Sequence, residues 1–223
     1  MFDFLSEYQK SFWKMIMIPA FSSTIEMVVI TTVLATIFGF LIAVVLLVTN
    51  KDGIHPNQII YQVISFVVNI IRSFPFVILM VFLLPLTKSI MGTSFGVKAA
   101  IVPLTIAATA FIARIIENAM KEVDPGLIEA MKSFGISDFQ VIFYVILSEA
   151  VPAIVSGIVL ATIAVLGATA MAGTMGAGGI GSVAITYGYQ SFNDEVMYLT
   201  AAILVIMVQG IQGIGDWIYR KMK

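Results

Sequence analysis

Apolar residues dominate five long stretches of the chain, and clusters of polar residues separate these stretches. A membrane-spanning helix needs about 20 mostly apolar residues, because each residue rises about 1.5 Å and the hydrocarbon core is about 30 Å thick. Five stretches meet this length, and we expect five transmembrane helices at residues 22–48, 59–86, 96–118, 151–173 and 196–218.

The second stretch, residues 59–86, is too long for one simple span and is interrupted by "IRSFPF". Proline cannot continue a helix without losing a backbone hydrogen bond. Two paths fit this pattern: the span tilts and kinks at Pro75, or residues 61–71 lie partly in the membrane interface. The sequence leaves both open.

A polar hairpin is predicted between the third and fourth spans, in "DPGLIEAMKSFGISDFQVIF" at residues 124–143. Asp124 and Pro125 form a helix start, and Gly135 suits the left-handed conformation that ends a helix. Ser137 and Gln140 have the spacing of a capping box, so a second helix is expected to run from there toward residue 151. The apolar residues of the first helix could fill a groove on another protein or fold back on the chain itself.

The composition identifies an integral membrane protein, and the five predicted spans place it in the all-α class. Only 11% of the 223 residues are charged and 60% are hydrophobic, whereas soluble domains carry about 25% charged residues. The net charge of −1 gives no reason to expect nucleic acid as a partner. The N-terminal "MFDFLSEYQKSFWKM" lacks a small-residue cleavage site and is interpreted as a retained interfacial segment.

The basic residues predict the orientation. The loop 174–195 contains no Lys or Arg, whereas the C-terminal tail contains Arg220, Lys221 and Lys223. Because basic residues favour the cytoplasmic side, we expect a cytoplasmic C-terminus and, with five spans, an external N-terminus. The polar hairpin then lies in the cytoplasm.

The glycine-rich "MGAGGIG" has the G-x-G-x-x-G spacing of dinucleotide sites at Gly176, Gly178 and Gly181. That chemistry requires a strand before the motif, but a membrane helix is predicted there. We expect a tightly packed turn or a re-entrant segment instead. The chain has no Cys and a single His, His55, and it shows no nucleophile and base pair, so no metal site, cofactor or enzyme is predicted.

Charged residues within or near the spans have two interpretations. Arg72 either marks function inside the membrane or sits at the cytoplasmic interface, since arginine in a bilayer is costly. Arg114, Glu117 and Lys121 share one helix face and are expected to form a stabilising ladder. Small residues at helical spacing predict a tightly packed bundle and a second copy of the chain; they are Gly39, Ala43, Gly157, Ala161, Ala164, Ala168 and Ala172.

At the hairpin the sequence resembles the permease subunits of ABC importers. Glu129-Ala130-Met131, followed after three residues by Gly135, matches their cytoplasmic E-A-A loop. Met131 replaces the second Ala, and Ser148 replaces a Pro, so a less sharply broken helix is expected. "NIIRSFPFVILM", "GVKAAIVPLTIAATAFIARIIENAM", "GLIEA" and "MGAGGIG" resemble the permeases of methionine-uptake ABC importers over most of residues 60–190.

The resemblance implies one transmembrane permease domain over residues 1–223, with a coupling loop at about 119–150, in the bacterial inner membrane. It implies two copies surrounded by membrane lipid, two ATPase subunits that hydrolyse ATP, a substrate-binding lipoprotein outside, and methionine as substrate. The implied ATPase-coupling residues are Leu127, Ile128, Glu129, Ala130, Met131, Phe134 and Gly135.

The translocation path is assigned to Met171, Ala168 and Arg72. Met171 is the bulky side chain at the end of a small-residue face, so it either constricts the pore or only fills packing space. A permease for another amino acid and a secondary carrier stay alternatives. A carrier would need acidic residues within the membrane, for which Glu26 is the candidate.

Overall fold

The computed structural model describes residues 11–222, which contain helices and no strand. The interfacial segment predicted at the N-terminus lies largely outside these residues. The helices are α1 (Trp13–Thr49), α2 (Gln58–Ser73), α3 (Phe76–Phe82), α4 (Leu84–Met91), α5 (Val97–Lys121), α6 (Pro125–Ser133), α7 (Asp138–Ala177), α8 (Ile180–Val183) and α9 (Asp194–Met222); a π-helical segment (Ala184–Tyr189) continues α8.

Within these described residues, α1, α5, α7 and α9 are each long and apolar enough to cross a membrane. The pair α2 and α3 is apolar and long enough for a fifth span only when both helices are counted together, and their axes are bent by 108°. The break falls at Pro75, because Pro75 has no N–H to donate and disfavours a helical conformation at Phe74. The second stretch is therefore broken where the kink was predicted, and more sharply than a tilted span requires.

Helix α5 lies at the centre of the bundle and buries residues around its whole circumference. It packs against α1 where Gly39 faces Ile112 and against α7 where Gly157 faces Ile115. A Cβ on Gly39 would lie 2.9 Å from Ile112 Cγ2, so the backbones approach closely. This confirms that small residues mark the helix contacts, as expected where lipid gives helices no hydrophobic reason to associate.

The glycine stretch forms a tightly packed turn, one of the two predicted arrangements. Gly176, Gly178 and Gly179 have φ between +81° and +87°, a region that favours glycine. The amide of Ile180 donates a hydrogen bond to the buried Thr24 hydroxyl at 2.9 Å, which ties the turn to α1. The element before the turn is α7 and not a strand, so the geometry of a dinucleotide site is missing.

The polar hairpin has the predicted form. The amide of Gly126 donates to Asp124 Oδ1 at 2.8 Å, and Gly135 has φ +78°. The capping box of Ser137 and Gln140 is present at the start of α7. Helix α7 then runs without a break through Ser148, in agreement with the loss of proline at that position.

Replacing Gly181 with Ala is expected to destabilise the protein by about 1–3 kcal/mol, the usual cost of overpacking. The added Cβ would lie 2.7 Å from the backbone oxygen of Ala170, and backbone atoms have little room to shift. Thermal unfolding in detergent measures this loss. Gly210→Ala is the control, because no atom lies within 4 Å of its added Cβ. Equal melting temperatures for both variants would contradict the close approach of α8 to α7.

Candidate coupling surface and translocation path

The hairpin helix α6 has two faces with different surroundings. On one face Leu127 and Ala130 are exposed, Met131 is half-buried and Phe134, just after the helix, is 82% exposed. These four positions are spaced three and four apart, so they form one stripe on the helix. An exposed apolar stripe on a capped helix suits a protein contact, and we call it the coupling surface.

The opposite face of α6 lines a cavity of about 630 Å³ within the chain itself. Ile128 packs against the main hydrophobic core, whereas Glu129 is exposed and lines the same cavity. The structure therefore separates Ile128 and Glu129 from the other predicted coupling residues. The far wall of the cavity is the loop between α1 and α2, at residues 50–54.

His55 lies in that loop, as predicted for a solvated residue. Its Nε2 is 3.4 Å from Asp138 Oδ2, and Lys132 Nζ is 4.0 Å from Asp138 Oδ1. These exposed pairs link the loop to the hairpin. Among residues 11–222, no group of three or more His, Cys, Asp or Glu side chains could hold a metal ion.

A buried ion cluster joins α2 to α5. The predicted partners of Glu117 do pair with it: Arg114 Nη1 and Lys121 Nζ each lie 2.6 Å from one of its oxygens. The predicted ladder is therefore present, and because Glu117 is 0% exposed it forms a buried cluster. The Tyr61 hydroxyl donates to Glu117 Oε1 at 3.2 Å, and Arg114 donates to Asn69 Oδ1 at 3.2 Å.

Sequence reasoning missed Tyr61 and Asn69, which contribute from a helix about 50 positions earlier. The signal was present in the spacing of the polar positions on α2. Tyr61, Ser65, Asn69 and Arg72 recur three or four residues apart and so share one side of the helix. A polar stripe within a membrane span predicts a polar partner on the neighbouring helix.

Of the three residues assigned to the translocation path, only Ala168 lines a cleft in the described part of the structure. Ala168 is half-buried and lines a cleft of about 160 Å³ between α5 and α7, together with Phe76 at the start of α3. Met171 is 50% exposed nearer the glycine turn and does not line this cleft. Arg72 is exposed near the end of α2, and it has no hydrogen bond or ion pair to any described residue.

Replacing Glu117 with Ala is expected to destabilise the protein by about 3–5 kcal/mol, because Arg114 and Lys121 would keep their charges without a counterion. Thermal unfolding in detergent is again the measurement. Glu122→Ala is the matched control, since Glu122 is exposed and forms no ion pair with described residues; a change within about 0.5 kcal/mol is expected there. A Glu117→Ala protein as stable as the control would contradict a stabilising role of the buried ion cluster.

The sequence matches known proteins along most of its length. Residues 35–223 match the family described as "Binding-protein-dependent transport system inner membrane component". The chain is 43% identical over 199 residues to the "Probable D-methionine transport system permease protein MetI" of Vibrio cholerae, covering 89% of this chain and 88% of that protein. It is 44% identical over 173 residues to the "Methionine import system permease protein MetP" of Bacillus subtilis, covering 78% of each.

The fold is also similar to those of solved structures. A chain of the MetNI methionine ABC transporter in an inward-facing conformation superimposes with a TM-score of 0.90 at 40% identity, covering 93% of this chain and 96% of that chain. A chain of an amino acid ABC transporter with histidines has a TM-score of 0.79 at 21% identity, with 99% and 98% coverage, and supports the fold alone. This chain therefore belongs to the family of binding-protein-dependent transport system inner membrane components.

Proposed function

We propose that this chain is the permease subunit of an ATP-driven importer and forms the translocation path for methionine. The observation that carries the proposal is its 43–44% identity, over 78–89% of its length, to two permeases named for methionine transport. The TM-score of 0.90 against the MetNI transporter supports the same substrate. No ATP-binding loop of the type G-x-x-x-x-G-K-[ST] occurs in the sequence, so ATP hydrolysis is assigned to a partner subunit.

The coupling surface is the proposed docking site for that ATPase. Leu127, Ala130, Met131 and Phe134 present an apolar stripe, and the left-handed Gly135 allows the chain to turn away directly after it. Ile128 anchors α6 on the core, and Glu129 is our candidate for a contact with a charged residue of the ATPase. The caps at both hairpin helices keep this surface folded when a moving partner pushes on it.

The proposed assembly contains two copies of this permease, two ATPases below and a substrate-binding lipoprotein outside. One transmembrane domain spans residues 1–223, with its coupling loop at about 119–150. The C-terminus is assigned to the cytoplasm and the N-terminus to the outside of a bacterial inner membrane. This orientation rests on the basic C-terminal tail and on the lack of Lys and Arg in loop 174–195.

Transport is proposed to follow from rigid-body rocking of the two permeases when the ATPases close. Arg72 and Ala168 lie near mid-membrane on the path, and Met171 lies nearer the outer end, where it constricts the path between two copies. Met171 suits this role because it is bulky, adaptable and half exposed in the single chain.

Uptake of labelled methionine tests the function directly, in cells lacking this chain and in complemented cells, with glutamine as a competitor. We expect complementation to restore methionine uptake and ATP depletion to abolish it. An intact methionine uptake together with a defect for another amino acid would overturn the substrate. Uptake that survives ATP depletion would overturn the ATP-driven mechanism in favour of a carrier.

Replacing Phe134 with Ser is expected to weaken docking of the ATPase, because a large exposed ring at the centre of an interface often contributes 2 kcal/mol or more. Co-purification of the ATPase with the tagged permease measures docking. Phe192→Ser is the control, since Phe192 is 91% exposed in the loop before α9, away from the hairpin. Undiminished co-purification with Phe134→Ser would argue against this docking face.

A further inference from the structure

Two neighbouring cavities lie where α1 and α9 begin. The first, of about 250 Å³, is lined by aromatic and polar residues, and we call it the aromatic pocket. The second, of about 500 Å³, is lined by apolar residues, and we call it the apolar groove. Trp13 lines both, so they meet at its side chain. Residue numbers increase from pocket to groove on both helices, from Trp13 to Phe21 on α1 and from Leu199 to Met207 on α9. The groove therefore runs between two helices that point in the same direction.

Packed side chains from three elements build the aromatic pocket. Met17 of α1 and Val196 of α9 are buried in one hydrophobic cluster, and Phe12 packs against it. The Phe12 ring meets the Tyr187 ring edge to face, with the ring centroids 5.8 Å apart. Tyr187 belongs to the π-helical segment that continues α8. The walls of the pocket are therefore held in place by the fold of the chain itself.

The side chains of the aromatic pocket favour an organic cation. Phe12, Trp13 and Tyr187 supply three aromatic rings, and Glu195 supplies a carboxylate. Aromatic faces attract ammonium groups, and a carboxylate accepts strong hydrogen bonds from them. None of the described residues that line the pocket is basic. Glu195 is exposed and forms no ion pair within the described part of the chain, so its charge is available to a ligand.

The apolar groove has the dimensions and the chemistry for an acyl chain. Every described residue that lines it is apolar. From Leu199 to Met207, α9 rises about 12 Å at about 1.5 Å per residue, whereas half of a hydrocarbon core is about 15 Å thick. Ile18 and Ile206 are 61% and 69% exposed, so the groove opens to the surroundings of the chain. In a membrane, those surroundings are the acyl chains of lipids.

A second charge lies at the level where the two cavities meet. Lys14 directly follows Trp13 and precedes Ile18 by four residues, so it shares a face of α1 with a residue of the groove. Lys14 is exposed and has no ion pair with any of residues 11–222. In a phospholipid the phosphate lies between the headgroup and the acyl chains. The order of carboxylate, lysine and apolar groove matches the order of ammonium, phosphate and acyl chain.

We infer that the aromatic pocket and the apolar groove together bind a phospholipid that has a primary ammonium headgroup. Glu195 accepts hydrogen bonds from the ammonium group beside the rings of Trp13 and Tyr187, Lys14 binds the phosphate, and the groove takes one acyl chain. A phospholipid with an uncharged alcohol headgroup leaves Glu195 without a counterion and binds more weakly. The bound lipid joins the first and last spans. This inference goes beyond the proposed function, because it depends on neither the substrate nor ATP.

Native mass spectrometry of the complete permease–ATPase complex tests the inference, because it resolves single bound lipids and also gives the number of permease copies. Dioleoylphosphatidylethanolamine competes with dioleoylphosphatidylglycerol, which has the same acyl chains and no ammonium group. We expect the wild-type complex to prefer the ethanolamine lipid. Glu195→Gln should reduce this preference about five- to tenfold, between the effects of losing an exposed ion pair and a charged hydrogen bond.

Asp194→Asn is the matched control for the headgroup, since Asp194 is the neighbouring acid and does not line the pocket. It should keep the wild-type preference. Ile206→Trp should fill the groove and weaken binding of both lipids. Its control is Ile214→Trp, because Ile214 is 62% exposed two turns further along α9 and does not line the groove; wild-type lipid binding is expected there.

Three results would overturn the lipid site. The first is equal binding of the two lipids by the wild-type complex, and the second is an unchanged preference in Glu195→Gln. The third is a loss of one permease copy from the Ile206→Trp complex, which would make the groove an interface between copies. Each of these results leaves the proposed transport function standing, since uptake of methionine is measured separately.

Discussion

The close contact of α5 with α1 and α7 is the constraint on which the rest of the bundle depends. In lipid, helices gain little by burying apolar side chains, so they associate through packing at short range. Gly39 and Gly157 permit this short distance between the helices, because a side chain at either position would collide with Ile112 or Ile115. With α5 held on both sides, its polar C-terminal end is fixed in the position where it binds α2.

The positions of the buried charges follow from the same packing. Glu117 is buried where α2 crosses α5, and a buried carboxylate is tolerated only with strong partners. Arg114 and Lys121 supply the charges, and Tyr61 and Asn69 fix the positions of the side chains. One turn further along the same face of α2, Arg72 has no such partners among the described residues. The contrast separates a charge that joins two helices from one that has no partner among the described residues of the single chain.

Local signals predicted most of the fold. Capping residues place the ends of α6 and the start of α7 correctly, because a cap depends on residues only two or three positions apart. The length of each apolar stretch predicts the spans for a similar reason, because it too depends only on residues close together in the chain. The 108° bend at Pro75 was not predictable in size, since proline marks a break and the neighbouring helices set its angle. The burial of Glu117 also depends on a helix about 50 positions earlier in the chain.

The hairpin shows the same division between local and tertiary information. The sequence showed the apolar residues of the hairpin and its resemblance to the E-A-A loop. It did not show which face of α6 is exposed. The structure places Ile128 on the core and Phe134 in solvent, although both belong to one apolar set. Only tertiary packing distinguishes them, since α6 contacts the start of α7 and Ile128 lies against the main hydrophobic core, whereas Phe134 lies just beyond the end of α6.

The order of the helices along the chain connects the hairpin mechanically to the bend at the end of α2. Only residues 122–124 separate the end of α5 from α6, and the Glu117 cluster clamps α2 to the last turns of α5. In the proposed importer, a force applied to Phe134 therefore acts on α5 and α2 together and not on the hairpin alone. Arg72 lies about 17 Å along α2 from Tyr61, at about 1.5 Å for each of eleven residues. A tilt of this clamped pair would therefore also move the far end of α2, where Pro75 breaks the helix, relative to α7.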